Sequence, residues 1–91
     1  MLQIKTSNRF EKDLDRQMSR KKDMKKLRDV VQILLSQERL PDEYRDHQLK
    51  GRLNKYRELH IEPDWLLLYR VEPPFLCLSR TGRHQDLLEG Y

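Results

Sequence analysis

Apolar residues at the start of the chain recur first at the spacing of a strand and then at the spacing of a helix. Apolar and polar residues alternate over residues 2–5, which predicts a short strand because successive strand side chains point to opposite faces. Three apolar residues then recur at every fourth position, Phe10, Leu14 and Met18. This spacing places them along one face of a helix, predicted over about residues 8–19, with Ser7 among the residues able to cap it.

A wider apolar stripe at helical spacing follows the basic turn at residues 19–22. Its members are Met24, Leu27, Val30, Val31, Ile33, Leu34 and Leu35. Pro41 cannot continue a helix, so the pattern predicts a second helix over about residues 23–38. Two helices joined by a short turn can cover one face of a sheet.

The rest of the chain contains one polar loop and three strand candidates. Residues 39–52 show no period and predict an ordered loop. Apolar-rich segments at about 55–61, 65–71 and 75–80 predict strands, and prolines mark the short turns between them. Such turns imply antiparallel neighbours. The order β-α-α-β-β-β in a single domain over residues 1–91 predicts an α+β fold, with two N-terminal helices packed on a small antiparallel sheet.

A strand register follows if each three-residue turn pairs its flanking residues, Ile61 with Trp65 and Val71 with Phe75. The face beneath the helices then carries Leu59, Ile61, Trp65, Leu67, Tyr69, Val71, Phe75 and Cys77. The uncovered face carries Tyr56, Glu58, His60, Leu66, Leu68, Arg70, Leu76, Leu78 and Arg80. His60 and Arg80 flank Leu66 in one row, roughly 10 Å apart at the backbone, so their long side chains can converge on one phosphate.

Several polar residues are expected to join that row. Gly82 permits a bend that returns Arg83 and His84 toward the uncovered face, and His47 lies in the preceding loop. The sequence therefore predicts one cleft that holds His47, His60, Asp64, Arg80 and His84. Histidine titrates near pH 6.5, so one ring can act as base and another as acid in RNA transesterification, while an arginine stabilises the transition state. This chemistry requires no metal or other cofactor.

Other interpretations of these residues exist. The three histidines are 13 and 24 residues apart, as counted from the sequence, which matches no short metal-ligand motif. Trp65 could stack on a base, but the register favours a place in the core. Cys77 is the only cysteine, so neither an intramolecular disulfide nor a cysteine-based zinc site is expected, and a reducing compartment fits.

Charge is unevenly distributed along the 91 residues. Residues 1–30 hold ten Lys/Arg and five Asp/Glu, whereas residues 31–91 hold nine and ten, which gives the net charge of +4. The basic first third favours a polyanionic or acidic partner, with a solvated helix face as the alternative. No apolar run approaches the ~20 residues of a membrane span, and no signal peptide is visible, so a cytoplasmic location is expected.

Three segments together resemble a known family. DHQLKG at residues 46–51, YRELHIEPDWLLLY at 56–69 and RTGRH at 80–84 are similar to the YafQ-type branch of the RelE/ParE toxin superfamily. The resemblance implies a bacterial type II toxin with a RelE-like, microbial-ribonuclease-like fold that cleaves mRNA in the ribosomal A site. Its functional residues would be His47, His60, Asp64, Arg80 and His84. Among these, the resemblance makes Arg80 the transition-state stabiliser and His84 a leading acid or base.

The substrate-binding candidates within this resemblance are Lys50, Trp65, Arg83 and Leu88. Where the family often has a C-terminal aromatic residue, this chain has Leu88, which cannot stack on a base. Tyr91 is a candidate substitute.

The resemblance also implies partners: a cognate antitoxin, the 70S ribosome through its rRNA, and the mRNA substrate. Operator DNA would be reached only through the toxin–antitoxin complex. Two alternatives remain open, a toxin of the same fold that acts by binding, as the ParE branch acts on DNA gyrase, and a non-catalytic basic RNA-binding domain. Three histidines beside an arginine favour the endoribonuclease, because a pure binder has no need of them.

Overall fold

The structure, a computed structural model, describes the backbone of residues 1–88 and the side chains of residues 1–87. Five strands are β1 (Gln3–Thr6), β2 (His47–Gln48), β3 (Arg57–Glu62), β4 (Trp65–Glu72) and β5 (Phe75–Gly82). Three helices are α1 (Asn8–Ser19), α2 (Met24–Leu35) and α3 (His84–Leu88). Single 3-10 turns at Asp42–Tyr44 and Gly51–Leu53 flank β2.

The strands form one sheet in the order β1-β5-β4-β3-β2. Helices packed on a sheet confirm the α+β prediction. The sheet is mixed rather than antiparallel, however, because β1 pairs parallel to β5, while the other three pairings are antiparallel. The two-residue β2 and the short α3 were not predicted.

The core lies between the sheet and the helices α1 and α2. Its buried members include Phe10, Leu27, Val30, Val31, Leu34, Leu35, Leu59, Trp65, Leu67, Tyr69, Leu76 and Leu78. The first five residues of β4, residues 65–69, are all 3% exposed or less, although alternate side chains point to opposite faces. An uninterrupted apolar run is what a central strand covered on both faces requires.

The predicted register holds between β3 and β4 and fails between β4 and β5. Leu59 pairs with Leu67 and His60 with Leu66, as expected, before a bulge brings Glu62 opposite Trp65. In the next hairpin Glu72, not Val71, pairs with Phe75, because the turn contains only Pro73 and Pro74.

This one-residue slip exchanges the two faces of β5. Leu76 and Leu78 point into the core, contrary to the prediction. Cys77 pairs with Arg70 and is buried on the opposite face.

A bulge at Ser79 then shifts β5 by one further residue. Tyr69 pairs with Leu78, but Leu68 pairs with Arg80, so Ser79 is the unpaired residue. The predicted row of His60, Leu66 and Arg80 is therefore wrong. The two rows observed are His47–Glu58–Leu68–Arg80 and His60–Leu66–Gly82.

Helix α1 has the predicted bounds, and Phe10 and Leu14 of the predicted stripe contact the core, but Met18 does not. Its buried residues are Phe10, Asp13 and Gln17, whereas Met18 is 55% exposed. The reason is that α1 lies beside the polar end of β5, where Asp13 accepts a hydrogen bond from the backbone N–H of Thr81 at 3.2 Å. Helix α2 ends at Leu35, earlier than predicted, with Ser36 as its C-cap.

The start of α1 also satisfies the backbone of β5. The Ser7 hydroxyl accepts a hydrogen bond from the N–H of Phe10 at 2.9 Å, which caps the helix. The same hydroxyl donates to the carbonyl of the bulged Ser79 at 2.8 Å. A single side chain therefore fixes both the helix start and the bulge.

A buried carboxylate joins α1 to α3. Asp86 accepts hydrogen bonds from Arg20 at 2.6 and 3.2 Å, from Arg16 at 3.3 Å and from the backbone N–H of Arg83 at 2.9 Å. The Arg20 guanidinium, followed by the Arg83 N–H, holds the pKa of the Asp86 carboxyl well below its usual range.

We predict that Asp86→Asn lowers the free energy of unfolding by about 2 kcal/mol, since the arginines lose a buried counter-charge. The depressed pKa makes this contribution complete above about pH 4 and reduces it as the pH falls further. Urea unfolding between pH 2 and 7 measures the effect. Asp29→Asn, which removes an exposed partner of Lys25, is the matched control and should change stability little. Equal effects of the two variants would contradict the prediction.

Candidate active site

A carboxylate clamp holds the segment that carries His47. Asp46 accepts hydrogen bonds from Arg57 Nε at 3.0 Å and Nη2 at 2.7 Å, and also from the Tyr69 hydroxyl. Burial and the Asp46 carboxylate raise the pKa of Tyr69 well above its usual range, so its hydroxyl stays protonated as a donor. Because β2 is only two residues long, these bonds fix the loop to the two neighbouring strands.

His47 is oriented by the backbone of the preceding turn. Its Nδ1 lies 2.9 Å from the carbonyl oxygen of Arg45. A carbonyl only accepts, so Nδ1 carries the proton and Nε2 is left to exchange protons. Nε2 lies 3.7 Å from Oε1 of Glu58, its cross-strand neighbour.

His60 occupies the centre of a line of three imidazoles. Its ring centroid lies 6.4 Å from that of His47 and 5.8 Å from that of His84. Burial lowers the pKa of His60, as do the charges of Arg45, His84 and His47, while Glu58 opposes them. His60 Nδ1 is buried, without a hydrogen-bond partner in the described residues. The ring is therefore neutral at neutral pH and able to accept a proton.

His84 is held by a carboxylate from the β3–β4 turn. Asp64 Oδ1 lies 2.7 Å from His84 Nδ1 and accepts the backbone N–H of His84 at 3.0 Å. These two bonds lower the pKa of Asp64, which keeps it ionised. Both side chains are exposed, at 61% and 54%, so substrate can reach the pair. The geometry directs Nε2 of His84 away from Asp64.

Gly82 allows α3 to start close to the sheet. A Cβ atom at this position would lie 2.9 Å from Asp86 Oδ2, which is closer than real Cβ contacts come. The residue has a φ of 156°. The bend therefore requires glycine, and it places His84 two residues beyond the end of β5.

The turn that carries Asp64 is anchored to α2. Glu62 accepts hydrogen bonds from Lys22 and Lys26, each at 2.8 Å. The two lysines lower the pKa of the Glu62 carboxyl. Because Glu62 lies two residues before Asp64, these ion pairs hold the start of the turn in place.

Arg80 lies on β5 and is bound to helix α1. Its Nε and Nη2 lie 2.6 and 3.2 Å from the carboxylate of Asp13, and the ion pair is buried. Nη2 also lies 3.5 Å from the carbonyl oxygen of Asp86. Arg80 shares its row with His47 and Glu58, two residues along the sheet from the row of His60.

The predicted substrate-binding residues occupy different environments. Trp65 is fully buried, and its Nε1 donates to the Thr81 hydroxyl at 2.9 Å, so its ring has no open face for a base. Lys50 is exposed at the end of β2, and Arg83 is exposed with Nε 3.7 Å from Asp86. The Leu88 side chain and Tyr91 lie outside the described residues.

The arrangement suits proton transfer at a phosphate. Within residues 1–88, no three histidine, cysteine or acidic side chains are grouped closely enough to hold a metal ion. What the site offers instead is a neutral imidazole beside a carboxylate-bound one, 5.8 Å apart between centroids. Such a pair can remove one proton and donate another across one reacting group.

Comparison with known proteins identifies the family. The family model described as the bacterial toxin YafQ of type II toxin-antitoxin systems matches residues 2–89. The chain belongs to the YafQ toxin family. The mRNA interferase toxin YafQ of Escherichia coli K12 is 39% identical over 85 residues, which cover 92% of each chain.

Solved structures agree with this assignment. The E. coli DinJ–YafQ complex matches with a TM-score of 0.87 and 38% identity, covering 96% of this chain and 98% of that one. A metal-bound toxin from Helicobacter pylori matches with a TM-score of 0.90 and 42% identity, covering 96% and 99%. The expected membership of the YafQ-type branch and the RelE-like fold are confirmed, and members of the YafQ family act as mRNA interferases, which are endoribonucleases.

Most of the polar residues that the sequence predicted for one cleft lie close together in this YafQ-family structure. His47, His60, Asp64 and His84 are adjacent as expected. Asp13, Asp46 and Glu62 were missed. Asp46 directly precedes His47, but its importance depends on Arg57 and Tyr69 from other strands, which no local pattern reveals.

We predict that Tyr69→Phe loosens His47 without unfolding the YafQ-family domain. The ring stays in the core, while Asp46 loses one of its donors, at a cost of about 1 kcal/mol. Misplacing His47 should slow cleavage about tenfold. Urea unfolding and the NMR signals of the His47 ring measure the two effects, with Tyr44→Phe as the control. Unchanged His47 signals would show that the clamp does not position this ring.

Proposed function

We propose that this toxin cuts mRNA in the ribosomal A site by metal-independent transesterification. The observation that carries the proposal is the line of three imidazoles that ends in the 2.7 Å contact between His84 and Asp64. The 2′-oxygen attacks the adjacent phosphorus, and the bond to the 5′-oxygen breaks. The products are a 2′,3′-cyclic phosphate and a 5′-hydroxyl.

The geometry supports a division of roles between the histidines. His60 is neutral at neutral pH, so it takes the proton of the 2′-hydroxyl. His84, whose Nδ1 is held by the Asp64 carboxylate, gives a proton to the leaving 5′-oxygen. His47 lies on the far side of His60 and positions the substrate through Nε2.

Arg80 stabilises charge on the transition state in this proposal. Asp13 holds the guanidinium in one orientation, which spares the cost of ordering it during the reaction. Lys50 and Arg83, both exposed, contribute contacts to the RNA backbone. Trp65 acts indirectly by fixing Thr81 next to Arg80.

The partners are proposed on two grounds. The E. coli relative was crystallised in a complex with DinJ, which supports a cognate antitoxin for this toxin. Operator DNA is reached through the toxin–antitoxin complex. The basic first third of the chain supports docking on rRNA of the 70S ribosome. None of the helices within the described residues is long and apolar enough to span a bilayer. We place the toxin in the cytoplasm, where ribosomes and mRNA are found.

The first test is primer extension on mRNA carried by stalled 70S ribosomes. We expect A-site cuts from the wild type, about a thousandfold slower cutting by His84→Ala because the leaving oxygen lacks its acid, and no cuts without ribosomes. If the toxin binds ribosomes without cutting mRNA, it is an inhibitor that acts by occupying the ribosome and not a nuclease. Absence of ribosome binding would favour a gyrase-directed toxin.

The second test separates the role of Arg80 in the reaction from its role in the fold. Arg80→Ala should lower the free energy of unfolding by about 3 kcal/mol, because Asp13 stays buried with one remaining donor, the Thr81 N–H. Adding Asp13→Asn removes the uncompensated charge and should restore part of the stability. Urea unfolding and primer extension are measured on both variants. A folded double variant that cuts like the wild type would exclude Arg80 from the reaction.

A further inference from the structure

The arginines near the histidines differ in whether a carboxylate neutralises them. Arg57 is bound to Asp46, Arg70 to Glu72 and Arg83 to Asp86. Arg45 is exposed, and its guanidinium makes no ion pair or hydrogen bond with any residue the structure describes. Its positive charge is therefore available to a ligand.

The backbone of Arg45 is fixed even though its side chain is exposed. The residue ends the 3-10 turn at Asp42–Tyr44 with a left-handed φ of 50°, and its N–H donates to the Asp42 carbonyl at 2.9 Å. Its own carbonyl accepts the hydrogen bond from His47 Nδ1. The guanidinium therefore starts from a fixed point beside the histidines.

Arg45 and His60 line the same cavity. This space of about 570 Å³ lies between α2, the 3-10 turn and the edge of β3 that extends beyond β2. Lys26, Tyr44 and the carboxylates Asp29, Glu43 and Glu62 also line its wall. Within residues 1–88, no strand pairs with β3 on this side beyond Glu58, and His60 lines the cavity at that edge. Of the neighbouring charges that shift the pKa of His60, Arg45 has the largest effect and lowers it. Glu58, His84 and His47 follow.

We propose that Arg45 is a substrate-binding residue that holds the RNA phosphodiester against His60. The guanidinium offers a planar set of donors that suits two phosphate oxygens at once. Arg45 lies beside the open edge of β3, whereas Arg80 lies on β5, two strands away from β3 in the sheet. This inference rests on the three-histidine site proposed above.

The test compares single-turnover cleavage on programmed ribosomes by the wild type, Arg45→Gln, Arg45→Lys and Arg39→Gln. The backbone carbonyl that binds His47 is kept in every variant, while glutamine removes the positive charge and the planar guanidinium. We expect Arg45→Gln to cut about 10- to 100-fold more slowly, by analogy with the loss of one charge-stabilising donor, and Arg45→Lys to recover part of the rate. Arg39 is the matched control, since it lies in the same loop, its side chain is 90% exposed, and it forms an exposed ion pair with Asp42.

Two NMR measurements separate substrate contact from a structural effect. Inorganic phosphate, added as the probe, should shift the His60 and Arg45 side-chain signals of the wild type and shift His60 less in Arg45→Gln. The pKa of His60 should rise in Arg45→Gln, because a nearby positive charge is removed, and stay unchanged in Arg39→Gln.

The outcomes distinguish this inference from the proposed function. If the wild type cuts and Arg45→Gln cuts equally fast, the role of Arg45 is overturned while the nuclease stands. If Arg45→Gln cuts slowly but phosphate shifts its His60 signal as much as in the wild type, Arg45 does not contact the phosphate and the inference is overturned. If the wild type does not cut, the proposed function itself fails.

Discussion

The edge of β5 beyond Leu78 is the constraint on which the rest of the structure depends. Strand β1 pairs with β5 only as far as Thr6 and Leu78, so the following backbone groups need other partners. Helix α1 supplies them, because Ser7 binds the Ser79 carbonyl and Asp13 binds the Thr81 N–H. With its edge satisfied by side chains, β5 accommodates the Ser79 bulge and continues to Gly82, where the chain turns toward His84.

The same edge carries a layer of buried polar residues. Thr81 receives a hydrogen bond from Trp65 and donates one to the Leu66 carbonyl, while Arg80 binds Asp13. These groups are buried, and each is held by a partner from another element. Such buried pairs make the layer rigid, since breaking one of them leaves an uncompensated group. The rigidity of this layer allows His84 and Asp64 to be exposed and still remain in one geometry.

The sequence predicted the elements better than it predicted their contacts. The bounds of α1 and the apolar run of β4 follow from periodicity, which local residues determine. The face of α1 does not, because Asp13 and Gln17 are buried only through the neighbouring end of β5. The β4–β5 register failed because a two-residue turn and a bulge each moved it by one position. The two shifts returned Arg80 to the predicted face but in a different row.

The charges of the site differ in burial, and burial decides which of them need an internal partner. A charge in the framework must be neutralised where it is buried, as Asp86 and Asp13 are by arginines, because an unpaired buried ion costs several kcal/mol. An exposed cation needs no such internal partner, and where it has none, no carboxylate competes with a phosphate for it. Beyond Glu58, no strand in the described part of the chain pairs with this edge of β3. An exposed cation can therefore meet a phosphate there, beside the neutral imidazole of His60. The short β2 therefore has a functional consequence, because a longer strand would close the approach to His60.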